Sequence, residues 1–536
     1  MLLDRVVRAS AAVAGSPGRL AKIAEIAALL RDVPPGEIPA AVAFLSGELT
    51  QRQIGVGYAA VADLLGPGGR APGAALTPPA QPVLTLTQAD TALGAIGAQS
   101  GPGSQAQRRA LLGELLARAT AAEREFLLRL IGGELGQGAL AGVMTEAIAS
   151  AAGVPAADVR RAQQVSGSLM LVASVALGGP PDDPAQARAA LSAIRLQVGR
   201  PAAPMLAASA PTVAAALERI LPAAVEWKID GIRIQVHRAG ADVRVFTRTL
   251  DDITARVPEI VAAARSLDAG AAVLDGEAVA LGPDGRPRPF QVTSARTASQ
   301  GHPARLAQQT PLTPFLFDLL HVDGTDLLDD PASERFARLT AIADPGLVIP
   351  RIVTADQAAA EAFFTAAVEH GHEGVVIKSL DAPYGAGRRG GDWIKVKPRH
   401  TLDLVVLAAE WGHGRRQGWL SNLHLGARDE ATGGLVMLGK TFKGLTDALL
   451  AWQTGRLLEL ADPPRAAGAA APEHGVVRVR PELVVEIAFD GVQASSRYPG
   501  GVTLRFARVL RYRDDKPAAQ ADTIEAVRAL WGGGEA

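Results

Sequence analysis

No cysteine occurs among the 536 residues, which excludes disulfides and every thiolate zinc site. No apolar run approaches the length needed to cross a bilayer, and Met1-Leu2-Leu3-Asp4-Arg5 lacks the ordered basic, apolar and small-residue regions of a signal peptide. The expectation is a cytoplasmic protein with no membrane contact. Histidine is sparse, nine in all, and shows no metal-ligand spacing; His370-x-His372 reads as an exposed helix end. Excess charge is lacking too: the net value is −1, which on its face argues against a nucleic-acid partner. Whole-chain charge averages over domains, however, and distribution matters more. Arginines gather at Arg108, Arg109, Arg118, Arg124 and Arg129, again at Arg388 and Arg389, and again, with lysine, from Arg505 to Lys516. Each cluster alone fits a solvated face. Clusters in separate segments suit a chain that encircles a polyanion and loosens as salt rises.

Hydrophobic residues are abundant, 48% of a chain long enough for about two to four separate cores, so several domains are expected. Residues 1–195 read as an all-α domain: alanine and leucine dominate, and Leu111/Leu112, Leu115/Leu116, Leu127/Leu128 and Leu130/Ile131 recur at helical spacing. Thr120 with Glu123 predicts a capping box, Pro155 a first helical turn after Gly153, and the stretch from Gly66 to Pro82 a loop. Residues 196–399 switch to short β-branched runs, Arg233 to His237 and Val243 to Phe246 among them, with turns at Ala239-Gly240 and Pro283-Asp284-Gly285. Helical pieces are expected at Val257 to Leu267, Ala332 to Ile342 and Gln357 to His370, giving an α+β domain built on antiparallel strands. Residues 400–536 carry five expected strands, Leu402 to Ala408, Leu423 to Ala427, Leu435 to Lys440, Val476 to Val479 and Leu483 to Phe489, with a loop from Ala461 to Pro472. That pattern is compatible with a small β-barrel of the OB-fold type.

Within the middle segment, Glu226-Trp227-Lys228-Ile229-Asp230-Gly231-Ile232-Arg233 sets one lysine beside two carboxylates and an arginine. An amine attacks phosphorus only when unprotonated, and lysine responds readily to desolvation and to neighbouring cations, so this setting suits a nucleophile. Lys-x-Asp-Gly alone recurs by chance. The order of the motifs downstream of it is far more specific: Leu274-Asp275-Gly276-Glu277, Phe315-Leu316-Phe317-Asp318-Leu319-Leu320, Glu373-Gly374-Val375-Val376-Ile377-Lys378, Trp393-Ile394-Lys395-Val396-Lys397-Pro398, and a basic run ending Arg511-Tyr512-Arg513-Asp514-Asp515-Lys516.

This collinear set resembles the motifs of the covalent nucleotidyltransferases, and specifically those of ATP-dependent DNA ligases of the archaeal and actinobacterial type. The resemblance implies a helical DNA-binding domain, an adenylation domain and an OB-fold domain in that order. It also implies that Lys228 attacks the α-phosphorus of ATP and carries AMP as a phosphoamide. By the same resemblance Glu226 meets the adenine amino group, Arg233 and Arg248 contact the ribose, phosphate or broken strand, and Phe317 stacks on adenine. Thr249 stands where the family usually has asparagine or a similar residue. Glu277 and Glu373 are the implied magnesium ligands, with manganese as the alternative, and Glu277 also suits the ribose hydroxyl. Arg389, Lys395 and Lys397 supply positive charge around the phosphates. Arg513, Asp515 and Lys516 form the Arg-x-Asp-Lys motif that caps pyrophosphate before the barrel swings away. In the helical domain, the glycine-rich stretch from Gly133 to Val143 resembles a DNA-binding segment, making Arg129, Gln137 and Gly138 candidate DNA contacts.

The expected partner is nicked double-stranded DNA, with a sliding clamp as a candidate accessory, and the expected state is a monomer associated with the nucleoid. Rival enzymes fit less well. An NAD-dependent ligase would carry a four-cysteine zinc module. A capping guanylyltransferase or an RNA ligase would lack the long helical region. The rival from another class is a DNA-binding scaffold with an inactive transferase, against which the full motif set stands.

Overall fold

The computed structural model describes residues 1–16, 18–56, 78–133, 135–137, 141–180, 183–299, 301–385, 387, 389–398, 400–462 and 475–530. The first part is helical as expected, with ten α-helices among the described residues, from Leu3–Gly15 to Pro184–Ser192. They close over one leucine-, valine- and alanine-rich core in which the Phe44 and Phe126 rings lie 6.4 Å apart. Thr120 and Glu123 form the predicted capping box at the start of Ala121–Ile131, each side chain accepting from the other's backbone N–H. Pro155 is the N-cap of Ala156–Ser166, one residue ahead of the predicted first turn. Residues 66–77 of the expected loop lie outside the described residues, and 78–82 form neither helix nor strand.

Ten strands come next among the described residues: β1 (Leu206–Ser209), β2 (Ala223–Trp227), β3 (Ile232–Ala239), β4 (Asp242–Thr247), β5 (Ala271–Ala280), β6 (Leu312–Val322), β7 (Thr325–Asp326), β8 (Arg351–Thr354), β9 (Val375–Ser379) and β10 (Arg389–Val396). They make two sheets, in the orders β1-β10-β9-β2-β8 and β4-β3-β5-β6-β7. All pairs are antiparallel except β1 with β10. The chain crosses from one sheet to the other between β2 and β3, and that crossing is Lys228-Ile229-Asp230-Gly231. The motif lysine therefore sits where the two sheets meet. The predicted helices appear at Pro258–Arg265, Ala332–Ile342 and Gln357–Glu369, joined by the unpredicted Phe290–Ala298 and Pro303–Gln309. Inside this unit Arg335 and Asp318 form a fully buried ion pair, at 2.7 and 3.1 Å, with the Asp330 and Ala382 carbonyls accepting from Nη1.

The last part is strand-rich: β11 (His400–Trp411), β12 (Leu420–Arg428), β13 (Leu435–Thr441), β14 (Val476–Arg478), β15 (Val484–Phe489), β16 (Gly491–Ala494), β17 (Val502–Arg505) and β18 (Arg508–Tyr512). The main sheet runs β13-β12-β11-β15-β18, with β14 also on β11, and β16 pairs with β17. Three strands and the helix Asp447–Glu459 add to the five predicted strands. β17 and β18 bury Val502, Leu504 and Val509 between exposed or half-buried arginines, so they read first as basic sequence rather than as strands. Most of the expected Ala461 to Pro472 loop lies outside the described residues; Ala461 itself bridges to Val479.

Polar contacts join the three parts. Arg52 and Arg161 of the helical part reach Asp251 and Asp329. Arg505 of β17 reaches Asp230 at 2.7 Å, Asp490 reaches Lys397 at 3.1 Å, and Gln291 reaches Gln493 at 3.2 Å. No helix among the described residues is long and apolar enough to cross a membrane.

Candidate active site

A cavity of about 980 Å³ opens between the two sheets. Glu226, Lys228, Arg233, Arg248, Glu277, Phe317 and Lys395 all line it, although they come from separate stretches of sequence. Backbone pairing sets the geometry at its floor. The Lys228 amide donates to the Gly374 carbonyl at 2.8 Å and the Glu373 amide to the Lys228 carbonyl at 2.8 Å, extending the β2–β9 ladder by one residue. Gly374 has φ +125°, and a Cβ there would lie 2.2 Å from the Val396 carbonyl oxygen, so only glycine lets these backbones approach. The result is a row in which Glu373 is bracketed: one carboxylate oxygen takes the Lys228 ammonium and the other takes Lys397 at 2.8 Å. Burial pushes the Glu373 carboxyl up, but Lys228 and Lys397 outweigh it and hold it at about 2.

Glu277 behaves oppositely. Burial pushes its carboxyl up to about 7, the nearby Asp275 and Glu373 adding to the effect and Lys228 and Arg233 only partly opposing it. Asp230 is also raised by burial, against the opposing pull of Arg505. Three carboxylates thus surround the Lys228 amine.

Elsewhere in the lining, Glu226 is buried and both its oxygens are used: Oε1 accepts from Arg351 at 2.7 Å and Oε2 pairs with Lys378 at 2.6 Å. Lys378 is itself buried, its Nζ 4.5 Å from the Phe317 ring centre and 4.1 Å from that of Trp393. Burial lowers its pKa despite Glu226. Phe317 meets Trp393 edge to face at 5.9 Å, forming an aromatic corner of the cavity. Arg233 forks onto Asp275 at 2.9 and 2.6 Å and donates to the Met205 carbonyl at 2.6 Å, while the Tyr384 hydroxyl closes the same network on Asp275. Arg233 is therefore a strut of the cavity wall as well as a lining residue.

Other sequence expectations fall elsewhere. Lys397 stands behind Glu373 rather than in the cavity lining. Arg389 begins β10, but its side chain lies outside the described residues, as does Gly138. Arg513, Asp515 and Lys516 are not brought to the cavity. Arg513 and Lys516 converge on Asp403, each at 2.8 Å, and Arg513 also forks onto Asp515. What the strand-rich part turns toward Lys228 is instead Arg505, on Asp230, and Asp490, on Lys397.

In the helical part, Arg129 donates to the Leu135 carbonyl at 2.5 Å and steadies the glycine-rich turn. Gln137 is buried: its amide donates to the Leu45 carbonyl and accepts from Ser10 at 3.1 Å. The expected DNA contact through this side chain gives way to a packing role, because both ends of the amide are consumed inside the domain. His372 likewise departs from the exposed helix end expected for it. It is buried with its ring centre 4.9 Å from Trp227, while His370, exposed, lies 5.0 Å from the same indole.

Lys378, Trp393, Arg351, Asp275, Tyr384, Asp490 and Arg505 are site residues that sequence reasoning does not single out. Lys378 and Trp393 have a signal, since each stands inside one of the collinear motifs at strand spacing. Arg351 and Tyr384 have none, because their roles exist only through partners distant in the chain.

The ATP dependent DNA ligase domain model matches residues 204–397, the ATP dependent DNA ligase C terminal region matches 416–516, and the DNA ligase N terminus matches 73–149. A protein of Beutenbergia cavernae named "Probable DNA ligase" is 55% identical, the match covering 99% of this chain and 100% of the relative. A "Probable DNA ligase" of Mycolicibacterium gilvum is 54% identical over 99% of each chain. The solved structure Pmar-Lig_PreS3 shares the fold, with a TM-score of 0.61 at 16% identity, covering 95% of this chain and 99% of the other. With a motif lysine held among carboxylates between two sheets, and with matches along nearly its whole length, the chain belongs to the ATP-dependent DNA ligases.

Proposed function

We propose that the enzyme seals nicks bearing a 5′-phosphate and a 3′-hydroxyl in duplex DNA by three transfers at phosphorus, with Lys228 as the covalent nucleophile. The observation that carries this is the placement of the Lys228 amine in the cavity, on Glu373 and facing Glu277. In the first step Lys228 Nζ, having lost a proton to solvent, forms a P–N bond to the α-phosphorus of ATP as the bond to pyrophosphate breaks. In the second, an oxygen of the 5′-phosphate attacks the same phosphorus and the P–N bond breaks, giving DNA-adenylate. In the third, the 3′-hydroxyl attacks the 5′-phosphorus, AMP leaves, and the strand is joined. Positioning dominates such chemistry.

Adenine is read as lying against the Phe317 and Trp393 corner near Glu226, with Arg233, Arg248, Arg389 and Lys395 on the phosphate and ribose side. Among the described residues no cluster of three or more metal-ligating side chains exists, so a cation here would depend on substrate oxygens and water for its remaining ligands. Glu277 fits that role. Burial pushes its carboxyl up to about 7 although Lys228 and Arg233 are near, so the added positive charge of a cation would favour its ionised form. Glu373 fits once Lys228 has become a neutral phosphoamide and released its carboxylate oxygen. Magnesium, or manganese, would supply charge neutralisation at the phosphates.

The expected domain limits of 1–195, 196–399 and 400–536 are retained, and the third unit is read as an OB-fold barrel, supported by its β13-β12-β11-β15-β18 order. Bringing Arg513, Asp515 and Lys516 to pyrophosphate requires that unit to rotate, parting Arg505 from Asp230 and Asp490 from Lys397. The enzyme is read as a cytoplasmic, nucleoid-associated monomer serving replication, repair or recombination, with a sliding clamp as a candidate partner. The direct test is sealing of a nicked duplex: product should form with ATP and magnesium, and not with NAD or GTP in place of ATP. Transfer from GTP to an RNA end would instead select the capping reading.

Glu277 gives the acid limb of the pH profile. Its carboxylate, the form able to hold a cation or accept from the ribose, is lost as pH falls through about 7. The rate of lysyl-AMP formation should drop over that range, with the inflection moving to lower pH as magnesium is raised. Glu277→Gln should remove the inflection and lower the plateau by roughly 10- to 100-fold. An unchanged acid limb in that variant excludes Glu277 as its source.

A further inference from the structure

We propose that Arg52, on the helical domain, is a positioning residue for the loop that carries Arg248, so that docking of the helical domain sets the catalytic pocket. This rests on the reading of Arg248 as a phosphate contact. Residues 247–251 form a tight turn: the Leu250 amide donates to the Thr247 carbonyl at 2.9 Å, the Thr247 amide to the Asp251 carbonyl at 2.9 Å, and Thr249 Oγ1 to Asp251 at 2.5 Å. Arg248 stands at its tip and lines the cavity. The turn is closed by Leu250 at φ 66°, a left-handed conformation that a branched side chain rarely adopts. Something outside the turn must stabilise it.

The helical domain supplies that on two sides. Arg52 Nη1 donates to the Leu250 carbonyl at 2.9 Å and to Asp251 Oδ1 at 3.1 Å. Gly167, the C-cap of Ala156–Ser166, receives the Leu250 side chain; a Cβ there would lie 3.1 Å from Leu250 Cδ1. Arg52 is itself left-handed, at φ 61°, and it too lines the cavity. Its own segment is anchored, since Gln51 Nε2 donates to the Asp90 carbonyl and to Asp90 Oδ1, both at 3.0 Å. Two uncommon backbone conformations thus face each other across a domain boundary at the cavity rim, joined by one guanidinium. Strain of this kind persists where surrounding contacts over-determine it, and it gathers at sites whose geometry matters. An exposed ion pair alone would contribute little; the bond to the Leu250 carbonyl is what fixes the turn.

The test is a double-mutant cycle in the full chain, reading single-turnover sealing of a nicked duplex by preformed enzyme-adenylate. Arg52→Ala should slow sealing about tenfold and Arg248→Ala on the order of a hundredfold, and the double variant should be no slower than Arg248→Ala alone. The melting temperature of Arg52→Ala should match the wild type, because the side chain is half exposed. Arg52→Lys, still able to donate to the Leu250 carbonyl, should recover most of the lost rate. Sealing by Arg52→Ala within twofold of wild type, or multiplicative losses in the double variant, overturns the proposal while leaving Arg248 in its role. Wild-type sealing by Arg248→Ala overturns the reading of Arg248 and the proposal with it.

Discussion

Lys228→Ala should take no label from α-labelled ATP and seal no nick, a loss on the order of 10⁴-fold or more, the expected result of removing a covalent nucleophile. The structure gives the reason for so large an effect. The Lys228 backbone is fixed on both sides by Glu373 and Gly374, and its amine enters the cavity at the junction of the two sheets. Other amines are close but differently engaged. Lys378 is buried on Glu226 between aromatic rings, and Lys397 is held by Glu373 and Asp490. Neither can replace Lys228 without breaking its own ion pair. Lys228→Arg should fail as well, since a guanidinium remains protonated and cannot attack phosphorus. The measurement is denaturing electrophoresis after incubation with ATP and magnesium, then a chase with nicked duplex. Label on the alanine variant equal to that of the wild type places the nucleophile elsewhere, whereas no label on the wild type itself brings the scaffold reading forward.

Glu373→Ala should slow lysyl-AMP formation on the order of 10³-fold, the second largest effect expected. The side chain pairs with the Lys228 ammonium and shares Lys397 with Asp490. Its removal leaves two ammonium groups facing each other with no carboxylate between them, and the nucleophile loses its aim. Glu373→Gln distinguishes shape from charge. A carboxyl held at about 2 by two lysines interacts through its charge, so the glutamine variant should be nearly as slow as the alanine variant. The same value means that Glu373 stays ionised across the working range and contributes nothing to the acid limb. The check is a single-turnover rate at saturating ATP, and a rate within threefold of wild type in Glu373→Ala removes this residue from the step.

The site is legible in sequence to the degree that its chemistry is collinear. Lys228, Glu277, Phe317 and Lys395 stand in short motifs whose order alone identifies them, and all four line one cavity. Illegible are the roles that depend on tertiary partners. Sequence reads Glu226 as an adenine contact, yet its oxygens are engaged by Arg351, 125 residues away, and by Lys378. Nothing local to Glu226 announces either cation. Gln137 reads as available in a glycine-rich turn and is in fact buried against Ser10 and Leu45, because a polar residue in a loop shows its burial only when a second helix covers it. Domain orientation is the least legible. The motif from Arg513 to Lys516 is plain in sequence, but motif identity carries no information about which face of the strand-rich unit turns to Lys228. For the fold, periodicity locates the helices and most strands, while β17 and β18 are obscured by their arginines.

Ionic strength bears directly on the seam between the nucleotide-binding and strand-rich units. The contacts there, Arg505 with Asp230, Asp490 with Lys397 and Gln291 with Gln493, are charged or polar and still partly open to solvent. Dissolved ions weaken such links over a Debye length of about 8 Å at physiological salt, whereas an apolar seam would tighten or stay indifferent. Raising salt should therefore act twice, weakening attraction to a DNA polyanion and also loosening the seam between these two units.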